Sequence, residues 1–488
     1  MQKCVSASGS TCNTRLMLTV CRLILACLLI AGCAAEDPDD RTWLAGDHHL
    51  HTRYSVGWDD SVDPPAPQIG VDAWYPLEQM ARAASRYGLK WMVVTDHGGP
   101  NRSAFSRDHA YPRLVRSREA VPGVLQFYGS ELDVPGAKHA TLIVPKTEDE
   151  ADVMYELEKA YARKDAHPKD PSRDTEERML EALAEMRSLR DQPVVIVNHP
   201  CRSCTAAQTY GMVTPRELRN WHDAAPEVMV GMEGAPGHQA MTLEADGAAR
   251  EEGFRGDYDL YPTMGGFDVL TARVGGFWDS MLGEGRRWSI TSTSDSHDHY
   301  SEGGDDFWPG EYSKTYVHAR PDYDDVLERL RGGHVFVATG DLITELYVTA
   351  EANGATAEMG ETLRVSAGAD VRITIRFHDP SQLNAGGDDP GVERVDLIGG
   401  RVTGPATDRS QDSNASTQVV TRFERDQWRP QGRYVVMEDV IKDLREDTYI
   451  RVRGTNTDQL EPLPDVPGEN PWDDLWFYSN PVFIVVDD

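Results

Sequence analysis

The strongest constraint on the fold is a change of hydrophobic period near Gly340. Before it, six short apolar runs (90–95, 124–129, 140–144, 193–197, 228–232 and 288–293) are rich in β-branched and aromatic residues and lack strict alternation, as strands buried on both faces should. Helical stretches lie between them. Leu77, Met80, Ala81 and Ala84 share one helical face, as do Met179, Leu180, Leu183 and Met186. Buried strands separated by helices predict a parallel α/β architecture of barrel type over residues 43–340. The charged block 146–190 is longer than a crossover needs and reads as a helical excursion at the rim. Past Gly340, Val371, Ile373, Ile375 and Phe377 alternate with polar neighbours, the mark of a half-exposed strand. Six further runs of this kind, from Leu346–Ala350 to Val482–Val486, predict a β-sandwich over 341–488.

The N-terminus reads as an address. Lys3, Arg15 and Arg22 flank the apolar run Leu23–Ile30, which is short of the ~20 residues a spanning helix needs. Leu29-Ile30-Ala31-Gly32-Cys33 resembles a bacterial lipobox. That implies a lipoprotein signal peptide over 1–33, a lipid on Cys33, and an acidic tether over 34–42. The expected location is extracytoplasmic, at a membrane surface (periplasm or cell surface). Five of the seven cysteines lie in this segment, leaving Cys201 and Cys204, for which a local disulfide fits such a compartment. Lys and Arg number 49 against 80 Asp and Glu, a net charge of −31. Phosphate backbones are held by clustered cations, so no nucleic-acid polymer is expected as a partner.

Fourteen of the fifteen histidines precede residue 340, and many sit where the predicted strands end. The motifs are Asp47-His48-His49-Leu50-His51, Thr95-Asp96-His97, Gly129-Ser130-Glu131, His139 opening a run, Asn198-His199-Pro200, and Ser294-Asp295-Ser296-His297. In a parallel barrel the carboxyl ends of the strands share one face, so these motifs converge. Imidazoles and carboxylates suit zinc, manganese or iron, and carboxylates can bridge two ions. On a strand, His49 and His51 point to one side while His48 and Leu50 point to the other.

This motif order resembles the polymerase and histidinol phosphatase (PHP) superfamily across about residues 44–300. The resemblance implies a PHP-type distorted (β/α)7 barrel holding two or three divalent ions (Zn, Mn or Fe). It implies His49, His51, Glu131 and Asp295 at the first ion. Glu131 would bridge to a second ion held by His139 and His199, with His97 and His297 at a third. The family expects a further Asp or His five or six residues after H-x-H, where Val56 and Gly57 stand, and Asp59 is assigned in its place. Glu131-Leu-Asp-Val-Pro-Gly-Ala-Lys-His139, Gly231-Met-Glu-Gly234 and Asp474-Leu-Trp-Phe-Tyr-Ser-Asn-Pro481 resemble the branch related to carbaryl hydrolase, the CehA/McbA group. The last of these is expected to dock the β region on the barrel.

Glu233 is expected as a proton acceptor or a support for a ligand, and Arg202 as a bidentate phosphate binder. Asp96 is expected to fix His97 or its loop; Arg53 and Lys138 are looser candidates, and His238 and His299 are read as bystanders. The reading is a phosphoesterase in which metal-activated hydroxide attacks a small anionic phosphoester. Two alternatives stand beside it: hydrolysis of a carbamate, ester or amide at the same centre, or a non-catalytic lipoprotein braced by metal.

Overall fold

A computed structural model describes residues 40–487. The expected leader 1–33, and the tether apart from its last residues, lie outside them. Seven strands follow in chain order: β1 (Thr42–Leu50), β2 (Trp91–Val94), β3 (Leu125–Asp133), β4 (His139–Ile143), β5 (Val194–Val197), β6 (Met229–Ala235) and β7 (Ser289–Ser292). Each pairs with the next. Just past β7 the chain returns to β1: His51 N–H donates to the Ser296 carbonyl and Asp295 N–H to the His49 carbonyl, both at 2.9 Å. The purely parallel expectation is corrected at one strand, because β4 runs antiparallel to both neighbours. That reversal places the start of β4, and hence His139, beside the carboxyl ends of the other strands.

Alternation sorts the strand side chains. Met92 and Val94 join the layer that contains Leu77, Met80 and Ala84 of α1 (Leu77–Arg86). Trp91, Val93, Phe127, Ile143, Val194, Ile196 and Val230 form a second apolar cluster, closed at one end by Val326, Leu327 and Leu330. Gly46 permits it, since a Cβ there would stand 1.9 Å from Trp91 Cε2. The other helices used below are α2 (Glu150–Tyr161), α3 (Glu176–Ser188), α4 (Pro215–Ala224), α5 (Phe277–Gly283) and α6 (Tyr323–Arg331). Their starts are written in the sequence. Thr175 caps α3, Thr214 and Glu217 form a reciprocal capping box on α4, and Asp322 accepts two backbone N–H groups of α6, contacts worth ~1 kcal/mol each. The block 146–190 contains α2 and α3.

The sheet does not stop at the ring. β8 (Ser313–Ala319) pairs with β1, β9 (Val335–Thr339) with β8, and a late strand, Trp476–Ser479, with β9. The chain past residue 340 supplies two sheets. One holds five strands ordered 355–358, 345–352, 369–378, 434–444 and 429–431. The other continues the ring's own sheet through 476–479, 448–455, 482–487 and 362–366, with 394–401 and 418–424 attached. Val371, Ile373, Ile375 and Phe377 are fully buried, as their period requires. The whole is a mixed α/β fold with one large sheet. Among the described residues no helix is long and apolar enough to cross a membrane.

Candidate metal centre

The ends of the ring strands deliver a layer of imidazoles and carboxylates. Glu131, at the end of β3 and 4% exposed, is its middle. Its Oε1 lies 2.9 Å from His139 Nδ1, 3.2 Å from His199 Nε2 and 3.3 Å from His49 Nε2, and its Oε2 lies 3.8 Å from His51 Nε2. Asn198 Nδ2 donates to the same Oε1 at 3.1 Å. Across from it, Asp295 Oδ1 is 3.1 Å from Nε2 of both His49 and His51. The rings of His51 and His297 stack with centroids 3.8 Å apart, and His97 meets His51 edge-on. Donor atoms fall into overlapping groups that could each hold an ion: His49/His51/Glu131, Glu131/His139/His199, His51/His97/His297 and His238/Asp295/His297.

Several supports were visible only in three dimensions. A register shift between Asp47 and Leu50 breaks the simple alternation expected of β1. Leu50 enters the apolar layer, but His48 turns inward and reaches across the ring, 2.7 Å from Thr291 Oγ1 and 3.3 Å from Thr141 Oγ1. Asp96 accepts from Thr52 N–H and Oγ1 and from Ser55 Oγ. Ser55 Oγ in turn meets His51 Nδ1 at 2.8 Å and His97 N–H at 3.1 Å, so Asp96 fixes two rings through one turn.

The expectations for Asp59 and His238 are corrected. Asp59 sits in a surface hairpin (Gly57–Asp59 with Ala66–Gln68) and accepts from Ser61 N–H and Oγ. The chain makes this excursion first and brings Asp72 back instead, with Oδ2 3.1 Å from His97 Nε2 and 3.9 Å from His297 Nε2. Glu233 is wholly buried behind His49, an arrangement that matches the supporting role, one of the two expected of it. Its Oε1 takes His49 Nδ1 at 2.6 Å and Thr293 Oγ1 at 2.9 Å, and its Oε2 takes His199 N–H at 2.5 Å. His238 is no bystander: Nε2 lies 3.0 Å from Asp295 Oδ2 and Nδ1 2.5 Å from Asp306 Oδ1. Buried Asp306 also accepts from His297 N–H at 2.6 Å. His299 bonds Glu311 instead. No motif pointed to Asp72 or Asp306, because both are isolated acids in loops.

Arg202 lies beside the centre with Nε donating to the Gly256 carbonyl at 3.0 Å and Nη2 to Asp295 Oδ2 at 3.2 Å. It projects from the turn closed by a disulfide between Cys201 and Cys204. His199, Asp295 and His238 all have positive φ (31°, 47° and 58°), a conformation costing non-glycine residues of order 1–3 kcal/mol each. Such strain persists where surrounding bonds overdetermine it, as they do here.

The donor set fits divalent ions on its own chemistry. Buried His199 Nδ1 has no hydrogen-bond partner. A carboxylate can only accept, so Glu233 takes the Nδ1 proton of His49 and leaves Nε2 facing Glu131 and Asp295. Burial opposes charge on His49, yet Asp295, Glu233 and Glu131 raise its pKa well above the imidazole range. Burial likewise opposes the Glu131 and Asp295 carboxylates. The charges of His139 and His49 on the first, and of His238 and His49 on the second, nonetheless hold both well below the usual carboxylate range.

No family model and no curated protein matches the chain. Among solved structures, the lesion-specific endonuclease PfuEndoQ from Pyrococcus furiosus aligns with 13% identity and a TM-score of 0.32, covering 60% of this chain and 56% of that one. Endonuclease Q in complex with a 27-mer duplex bearing an abasic lesion aligns with 12% identity and a TM-score of 0.30 over the same shares. The superposition is too loose to carry an argument about fold. The expectation that no nucleic-acid polymer is a partner is withdrawn, since the neighbours found are themselves endonucleases, one of them bound to a duplex. Its physical weakness is plain as well, since charge over the whole surface is screened within ~10 Å while ions in a pocket act at contact.

Proposed function

We propose that the chain is a metal-dependent hydrolase of phosphoesters, built on a distorted seven-stranded barrel of PHP type with features of the CehA/McbA branch. The observation that supports this most is the position of Glu131, one carboxylate shared by the His49/His51 and His139/His199 groups. When bound, divalent ions supply Lewis acidity and a water whose pKa falls toward ~7. Glu131 and Asp295 accept the positive charge, and Glu233 and Ser55 hold the His49 and His51 rings in place. Lys138 and Arg202 bring cationic charge to the edge of the cluster. Burial and the nearby Arg202 charge depress the Lys138 pKa, so an anionic group between the two would relieve their repulsion.

A panel of p-nitrophenyl phosphate, bis(p-nitrophenyl) phosphate, an abasic-lesion duplex and an aryl carbamate, run on the metal-loaded protein, tests the reading. Turnover of a phosphoester that vanishes in His49→Ala/His51→Ala supports it. Turnover of the carbamate alone overturns it in favour of the carbamate, ester or amide alternative, which the CehA/McbA-like stretches support. Metal bound without turnover of any member favours a braced binding protein. In the same reading, residues 43–340 carry the centre and 341–488 a β-sandwich. The 1–33 leader then directs a lipoprotein, anchored through Cys33, to an extracytoplasmic membrane surface. Loss of labelled-palmitate incorporation in Cys33→Ser checks the address.

A further inference from the structure

Away from this centre, the segment 463–474 lies across the loop 250–267. Gly265 N–H donates to the Leu463 carbonyl, Asp465 N–H to the Thr263 carbonyl, and Gly468 N–H to the Gly253 carbonyl. Three acids of this one segment, Asp465, Glu469 and Asp474, bring a carboxylate oxygen each to within 4.8 Å of one another. Asp465 and Asp474 are only 3% and 4% exposed. Proximity of acids alone means little, but a second feature sets this group apart. Asp465 Oδ2 accepts from Thr263 Oγ1 and Gly266 N–H, whereas its buried Oδ1 has no hydrogen-bond partner. A buried carboxylate oxygen without a donor is costly unless something positive reaches it.

Charge points the same way. Arg255, fully buried, donates to Asp474 Oδ1 at 2.5 Å and lies 3.8 Å from Asp465 Oδ2. Three carboxylates against one guanidinium leave two negative charges, the charge of a single divalent ion.

We propose that Asp465, Glu469 and Asp474 form a second cation site, distinct from the histidine centre, that takes a hard, oxygen-seeking divalent ion of the Ca2+ type. All-oxygen ligation without histidine selects Ca2+ over zinc-like ions. The three ligands lie within one ten-residue span, so little chain entropy is lost in gathering them. The ion would neutralise the acids that the single guanidinium of Arg255 leaves unbalanced, and Arg255 itself bonds Gln239 next to His238.

Calcium binding to the full chain, followed by calorimetry with the histidine centre preloaded with Zn2+, tests this. One Ca2+ is expected, retained in His49→Ala/His51→Ala and weakened at least tenfold in Glu469→Gln, which keeps an oxygen to accept the Val466 N–H. Asp465→Asn should abolish it. Tb3+ luminescence sensitised by Trp476, whose indole crowds Gly265 together with Asp474 Oδ2, should fall in the same variants. Absence of Ca2+ binding to the wild type at ~10 mM, above the weak end of natural calcium sites, overturns the proposal. So does unchanged affinity in a folded Glu469→Gln protein.

Discussion

His49 Nδ1 stands 2.6 Å from Glu233 Oε1, and that contact leaves the opposite nitrogen of the ring facing Glu131 and Asp295. A buried carboxylate behind a ligand imidazole fixes both its tautomer and its direction. Glu233→Ala should therefore weaken metal binding by ~10–100-fold while the protein stays folded. Competition with a coloured chelator measures this. Unchanged affinity would remove Glu233 from the centre.

Asp72 and Asp59 make a matched pair. Asp72 is beside His97, and Asp59 faces solvent on its hairpin. Asp72→Ala is expected to lower the bound-metal stoichiometry by one ion, read by elemental analysis after gel filtration, and Asp59→Ala to leave it as it was. The reverse order would mean that the hairpin folds back over the site.

The pair Arg451–Asp279 ties the late sheet to α5. Nε and Nη2 of Arg451 donate to the two oxygens of Asp279 at 2.8 and 2.7 Å, with both side chains fully buried. Removing one partner strands the other charge in the interior. Asp279→Ala should cost ~3–5 kcal/mol in urea unfolding. Asp279→Ala combined with Arg451→Met should recover part of that loss.

Glu158 on α2, which accepts from Ser130 beside Glu131, offers a pH signature. Burial raises its pKa from 4.5 to about 7, against the lowering influence of Arg102 and the Ser130 hydroxyl. The folded state thus keeps a proton that the unfolded chain releases between pH 4.5 and 7. Its contribution to stability is full below that window and lost as pH rises through it. Glu158→Gln should flatten that part of the stability curve, measured by urea midpoints at pH 5, 6, 7 and 8.

Much of this was legible in the residues, and the exceptions have physical causes. Apolar and β-branched runs located β2 to β7, because strands buried on both faces are filled mainly by such side chains. The direction of β4 was not legible, since an apolar run reads alike both ways and only the short Val134–Lys138 turn hints at a hairpin. His48 was misjudged because period-two reasoning cannot see a bulge. Asp72 was missed for a related reason: fixed spacing from His51 assumes no inserted hairpin, and the chain inserts one. His238 lacked any motif, and its place is set by a left-handed backbone turn that no local pattern announces. Asp474–Pro481 was expected to dock the β region on the barrel, but the form of that contact, a strand over Trp476–Ser479, was not legible. That strand lies beside β9, a pairing across more than a hundred residues that local composition cannot encode.

One carboxamide has a bearing on how the molecule is made. Asn480 bonds the backbone of Ile290 in β7 at both N–H and carbonyl, and also reaches the Val335 carbonyl. A ribosome must emit the whole stretch from β7 to Asn480 before that edge of β7 can be capped. The nascent protein therefore carries an unfinished strand until Asn480 emerges, and truncation before Asn480 should yield aggregates rather than a smaller folded protein.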